Sequence, residues 1–232
     1  MATFTRSEWG SVYPRGGNPI DHPVLEIYVH HYNSAIVAPN TLEGSLARVR
    51  DAQRYHVETK GWQDIAYSWL ADDLGNLFEG RGWWRTGAHT EGSNSSGYGI
   101  CWLGDSNVSP PTTAALRAIT SCTRSGIALG AVTVAPNILG HRDRALSACP
   151  GDVLYALLPT LHAMLLNGQI PSGDDDMTDD ERAMLIRIHG VLGNDQPGWG
   201  RPPSINDVVT IFADRLTAID ARIEAIAAKL GI

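Results

Sequence analysis

Cysteine is scarce in this chain: three in 232 residues, at positions 101, 122 and 149. An odd, low count does not read as a disulfide framework and leaves the thiols free for burial or for metal. It also points to synthesis in a reducing compartment. Positive charge is scarce too. Eighteen Lys and Arg stand against 25 Asp and Glu, a formal net charge of −7. Phosphate binding needs clustered cations, so nucleic acid is not expected as a partner. No uninterrupted apolar run approaches the roughly 20 residues that cross a bilayer, and membrane insertion is not expected. The opening "MATFTRSEWG" has neither a basic n-region nor an apolar h-region, so no signal peptide is read there. The expected place of synthesis is a cytoplasm, with any substrate outside it reached by another route. "HExxH" is absent as well, which removes one familiar zinc-peptidase arrangement.

What is present is a 43% hydrophobic composition, enough for a sizeable core. The composition shifts once, at "IPSGDDDMTDDE" (170–181). A Pro-Gly-acidic stretch of this kind reads as a solvated linker. The expected division is a main domain at 1–170, an acidic linker at 171–177 and a tail at 178–232.

Within the main domain, strand and helix patterns alternate. "VLEIYVH" (24–30), "GYGICWLGD" (97–105) and "VTVAPNILG" (132–140) are short apolar runs that predict buried strands. "DIAYSWLAD" (64–72) and "LFEGRG" (77–82) flank "DLGN" in the manner of a hairpin. "TLEGSLARVRDAQRYHVETKG" (41–61) predicts a helix capped by Thr41 and stopped by Gly61, with Leu46, Val49 and Gln53 at helical spacing. Further helices are expected over 113–129 and 152–168. The pattern is that of a three-layer α/β domain, with any site in the loops at strand ends.

"GHRDRALSACPGD" (140–152) places His141 and Cys149 eight positions apart on one expected loop. Two imidazoles and a thiolate suit zinc, which in catalytic sites takes three protein ligands and leaves a fourth position for water. A histidine and a cysteine at this spacing are, taken alone, far more often unrelated. "YVHHYNSA" supplies a third donor at the end of a strand, where a side chain is held rigidly. Strand alternation sends His30 and His31 to opposite faces, so one of them reaches a metal and the other does not.

These stretches, with "RSEWG" (6–10) and "GWQDIAYSWLADDLGNLFEGRGWWRTGAHTEGSNSSGYGICWLGD" (61–105), make the chain resemble the type 2 N-acetylmuramoyl-L-alanine amidases. That family includes the amidase-type phage lysozymes and the peptidoglycan recognition proteins. The likeness spans roughly residues 5 to 168. It implies an α/β fold with a central mixed β-sheet flanked by helices, and a groove for glycan and stem peptide. It implies His30, His141 and Cys149 as ligands of Zn2+, with His31 outside the set. It implies Tyr67 as the tyrosine beside the metal, orienting substrate and relaying a proton. Ser147 stands where the family often has Lys or Thr assisting at the metal, which implies a minor catalytic role for it through a donated hydrogen bond. Cys101 stands where some bacterial relatives have a catalytic glutamate, as it does in the phage lysozyme branch.

His89 and Asn94, in "GAHTEGSN", match the loop that lines the groove. Trp83 and Trp84 offer aromatic faces for sugar or peptide, although at least one of them reads as core. His56 also matches a family position and reads as a structural histidine. Asp143 is either a support for the His141 loop or a turn cap. Cys122, Trp62 and Trp69 read as core, and His22, His162 and His189 have no evident partners. The implied reaction is zinc-dependent hydrolysis of the amide between N-acetylmuramic acid and L-alanine in peptidoglycan, in the setting of a phage endolysin. The alternatives are a non-catalytic peptidoglycan-binding module and a cytoplasmic amidase that recycles muropeptides.

The tail is legible by periodicity alone. Thr178 and Glu181 have capping-box spacing at the head of one helical pattern. In a second, Val209, Phe212, Leu216, Ile219, Ile223, Ile226 and Leu230 recur at steps of 3 and 4, a heptad seam. Isoleucine at d positions favours assemblies above dimers. The expectation is a parallel trimer or tetramer, with an intramolecular hairpin as the alternative.

Overall fold

The computed structural model describes residues 1–32 and 40–167. The expected linker and helical tail at 171–232, including His189, lie outside the described residues.

Six strands are described: β1 (Thr3–Phe4), β2 (Val24–His31), β3 (Trp69–Ala71), β4 (Leu77–Glu79), β5 (Gly97–Trp102) and β6 (Val132–Gly140). They form one sheet in the order β1-β4-β3-β5-β2-β6. β3, β5, β2 and β6 pair in parallel, while β4 runs antiparallel to β3 and parallel to β1. The sheet is mixed, as expected. The register shift between β2 and β6 falls opposite the stretch of β6 that holds Pro136, which has no N–H to give to a ladder. β6 is an edge strand, where such a residue is tolerated.

Side chains alternate between the two faces, and each face has its own core. Ile27 and Val29 of β2 and Tyr98, Ile100 and Trp102 of β5 pack with α2 (Thr113–Ala128) and α4 (Leu158–Asn167). On the other face Leu70 and Cys101 pack with Val49 and Ala52 of α1 (Leu42–Arg54). The three layers are thus α2/α4, sheet and α1. No helix among the described residues is long and apolar enough to cross a membrane.

Local chemistry sets the element ends. Thr41 caps α1, its hydroxyl accepting from the Gly44 N–H at 3.2 Å. The helix then widens into a π-turn over Tyr55–Thr59 and stops at Gly61, whose φ of +69° suits a residue without a Cβ. The hairpin expected around "DLGN" is β3–β4. The helix expected over 152–168 is instead two, α3 (Asp152–Ala156) and α4, broken at Leu157. Pro159 explains the break: it lacks an N–H, so it fits the first turn of a helix and not the middle of one.

Candidate metal centre

In a parallel sheet the carboxyl ends of neighbouring strands lie side by side. Val29 of β2 is in register with Gly140 of β6, so the next residues, His30 and His141, are brought together. Their ring centroids are 4.9 Å apart. The loop after β6 then returns Cys149 to the same place, its Sγ 3.5 Å from His30 Nδ1. The donor atoms of His30, His141 and Cys149 lie within 4.8 Å of one another, the one such group among the described residues. Zinc bonds of about 2.0–2.1 Å to nitrogen and 2.3 Å to sulfur at tetrahedral angles imply an N···S edge of roughly 3.6 Å. The observed spacing and the donor types fit that metal.

The loop carrying two of these donors is braced by its own polar groups. Arg142 pairs with Asp152 at 2.6 Å, donates to the Ala148 carbonyl and lies over the Tyr155 ring. Asp143 accepts from the Gly140 N–H at 2.7 Å and from the Tyr155 hydroxyl at 2.6 Å. It supports the loop as a turn cap. Ser147 accepts from the Cys149 N–H at 3.1 Å, so its hydroxyl holds the ligand loop. His31 points to the other face, where its Nδ1 accepts from the Ser106 N–H at 3.2 Å. Alternation has separated the two histidines as expected.

Burial keeps the imidazoles neutral. It depresses His30 well below 6.5, with the neighbouring rings of His89 and His141 adding to the effect, and it lowers His141 too. Neutral imidazole is the ligating form. Burial pushes the Cys149 thiol up to about 11, against the backbone N–H of His31 and the charge of Arg142, which pull it down. The thiol therefore keeps its proton at neutral pH, and a metal bound there would displace it.

Tyr67 lies beside the donors, its ring centroid 5.2 Å from that of His30. Burial first, then the thiols of Cys101 and Cys149, hold its hydroxyl well above 10, so it stays a donor. Cys101 is fully buried and in register with His30. His56 meets Tyr67 edge-on at 5.5 Å, and its Nδ1 accepts from the Ala66 N–H at 3.3 Å. It is a satisfied structural histidine. Trp62 stacks on His56 at 5.1 Å and is 38% exposed, not the core residue expected. Arg6 holds the segment leading to Tyr67 through a paired contact with Asp64, at 2.9 and 3.2 Å.

The four residues expected at the groove are placed as follows. His89 is 5% exposed and lies behind His30, with Nδ1 3.3 Å from His30 Nε2. Asn94 spends its carbonyl oxygen on the N–H groups of His89 and Thr90, at 2.8 and 3.0 Å. Trp83 packs against Trp69 and Tyr98 on the α2 face, across the sheet from the donors. It is partly buried against the core on that face. Trp84 is 39% exposed in a left-handed conformation (φ 65°), its N–H held by the Tyr98 hydroxyl. Trp69 and Cys122 belong to the core as read, whereas His22 and His162 are exposed.

Two contributors were not singled out from sequence. Gly97 and Gly99 of β5 leave room for the rings of Tyr28 and His89. A Cβ at Gly97 would stand 2.6 Å from the Tyr28 ring, and one at Gly99 2.5 Å from His89 Cγ. The available signal was glycine at alternate positions of a strand, which marks close approach.

A family profile described as N-acetylmuramoyl-L-alanine amidase matches residues 21–152. The chain belongs to the N-acetylmuramoyl-L-alanine amidase family. A human protein of that name is 39% identical over 165 residues, which cover 68% of this chain and 28% of the human one. The chain thus spans little more than a quarter of that relative. Drosophila PGRP-LB superposes with a TM-score of 0.65 at 28% identity, covering 72% of this chain and 98% of that one. Peptidoglycan recognition protein-LE, solved with tracheal cytotoxin, superposes with a TM-score of 0.64 at 31% identity over 68% and 93% of the two chains. The amidase match encloses all three donors and Tyr67 and falls within the domain expected at 1–170.

Proposed function

We propose that this protein is a zinc-dependent N-acetylmuramoyl-L-alanine amidase that cuts the amide between the lactyl group of N-acetylmuramic acid and L-alanine in peptidoglycan. The observation that carries the reading is the convergence of His30, His141 and Cys149 at the carboxyl end of the sheet, with a protonated tyrosine beside them. Zinc held by these donors would lower the pKa of a water towards about 7 and polarise an amide carbonyl. The chain's own part is to hold the donors neutral or ready to ionise and to aim the Tyr67 hydroxyl at the oxygen where charge develops. A donor fixed in a buried site costs no reorganisation during reaction. Among the described residues no carboxylate joins the donor group, so Tyr67 also relays the proton needed by the departing amine.

The setting of a phage endolysin, made inside a host and released onto its wall, is part of the proposal and rests on the likeness to the phage lysozymes, Cys101 included. A second reading is recognition without cleavage, favoured by the peptidoglycan recognition proteins among the relatives. Cys149→Ser separates the two. Cleavage calls for loss of wall-degrading activity with wall binding retained. Wild-type protein that sediments with purified wall and releases no stem peptide would establish recognition instead. Glycan reducing ends should stay constant during digestion, since a rise would mean that a glycosidic bond is cut.

A further inference from the structure

His30 faces Cys149 with Nδ1, at 3.5 Å, and therefore presents Nε2 on the far side of its ring, 3.3 Å from His89 Nδ1. An imidazole that ligates through Nδ1 carries its proton on Nε2 and needs an acceptor there. His89 can be that acceptor only as the tautomer with its own proton on Nε2. The surroundings select this form, because His89 Nε2 lies 3.3 Å from the Gly97 carbonyl, which can only accept. The Thr90 hydroxyl, 3.0 Å from His89 Nδ1, is free to rotate and share that lone pair. The proton positions run in one direction: metal site, His30, His89, Gly97 carbonyl.

The second histidine is also fixed in space. Its backbone N–H is held by Asn94 Oδ1 at 2.8 Å. Its ring tilts against Tyr28, with centroids 5.6 Å apart, and occupies the space that Gly99 leaves by having no Cβ. Nothing in this arrangement opens it to a substrate.

We propose that His89 is a positioning residue, which through Nδ1 fixes the tautomer and ring angle of His30 so that His30 Nδ1 is presented to the metal. The proposal rests on the zinc reading above. Partners of this kind typically contribute 10–100-fold to metal affinity.

The test is zinc affinity by competition with a chromogenic chelator, on wild type, His89→Asn and His89→Gln, beside thermal unfolding of each zinc-free protein. Asparagine places an acceptor near the Nδ1 position, whereas glutamine reaches the Nε2 position and leaves His30 without one. His89→Gln is expected to weaken zinc binding about 10–100-fold, and His89→Asn to recover most of the loss. Equal affinity in wild type and His89→Gln would overturn the proposal, and so would equal losses in the two variants. Wild type that takes up no zinc would overturn the metal reading itself, a result distinct from either.

Discussion

Three histidines are buried in the neutral form, and each makes the fold sensitive to acid. Burial depresses His30 well below 6.5, His56 to about 4 and His89 to about 3. In the unfolded chain all three titrate near 6.5, so below that pH the unfolded state binds more protons. For His56 and His89 that stabilisation is complete above about 6.5 and falls by about 1.4 kcal/mol per pH unit for each as pH drops towards about 4, and that of His30 is lost in the same direction. The urea midpoint of the zinc-free protein should fall steeply between pH 7 and 5, and a flat midpoint would contradict these burials. On the zinc reading, Cys149 makes metal binding depend on pH. With its thiol at about 11, zinc must displace a proton. Affinity should rise about tenfold or more per pH unit from about 7 to about 8.5, with about one to two protons released per zinc in calorimetry across buffers, one from the thiol and a second where the bound water ionises. Tyr67→Phe should keep zinc and lose turnover about 100-fold, the scale of one buried donor to an oxyanion. Unchanged turnover would return Tyr67 to a packing role. At this scale the sequence was informative where a motif carried the chemistry, as with the donors and Tyr67. It was uninformative about facing. Nothing in "GWWR" tells that Trp83 packs on the α2 face.

Elements bring these side chains together, and β5 shows how. Its odd-numbered glycines give the space that Tyr28 and His89 fill. Gly99→Ala should cost about 1–3 kcal/mol in chemical denaturation, the usual range for overpacking a tight site, and should weaken zinc binding as His89 shifts. Wild-type stability in that variant would mean that the ring has room to move. Strand and helix positions were readable because apolar runs and caps are local signals. Pro159 was such a signal too, and it explains the break between α3 and α4. The order β1-β4-β3-β5-β2-β6 was not readable, because pairing between distant segments leaves no local mark. His30 and His141 meet only because β2 and β6 pair in parallel.

At the level of the whole molecule, the heptad seam at 209–230 is known from its spacing alone. We propose that it self-associates and presents several amidase domains to a multivalent wall, which raises avidity. Light scattering should give three or four chains for the full protein and one for a chain ended near residue 172. A monomeric full-length protein would refute the assembly. The central claim is the chemistry, and one measurement reaches it directly: mass spectrometry of purified peptidoglycan digested by the full chain, with chelator, without it, and with zinc restored. The expected products are glycan with a free lactyl carboxyl group and stem peptides with a free L-alanine amine, absent under chelator and regained with zinc. Intact wall in every arm, or the same products under chelator, would contradict it.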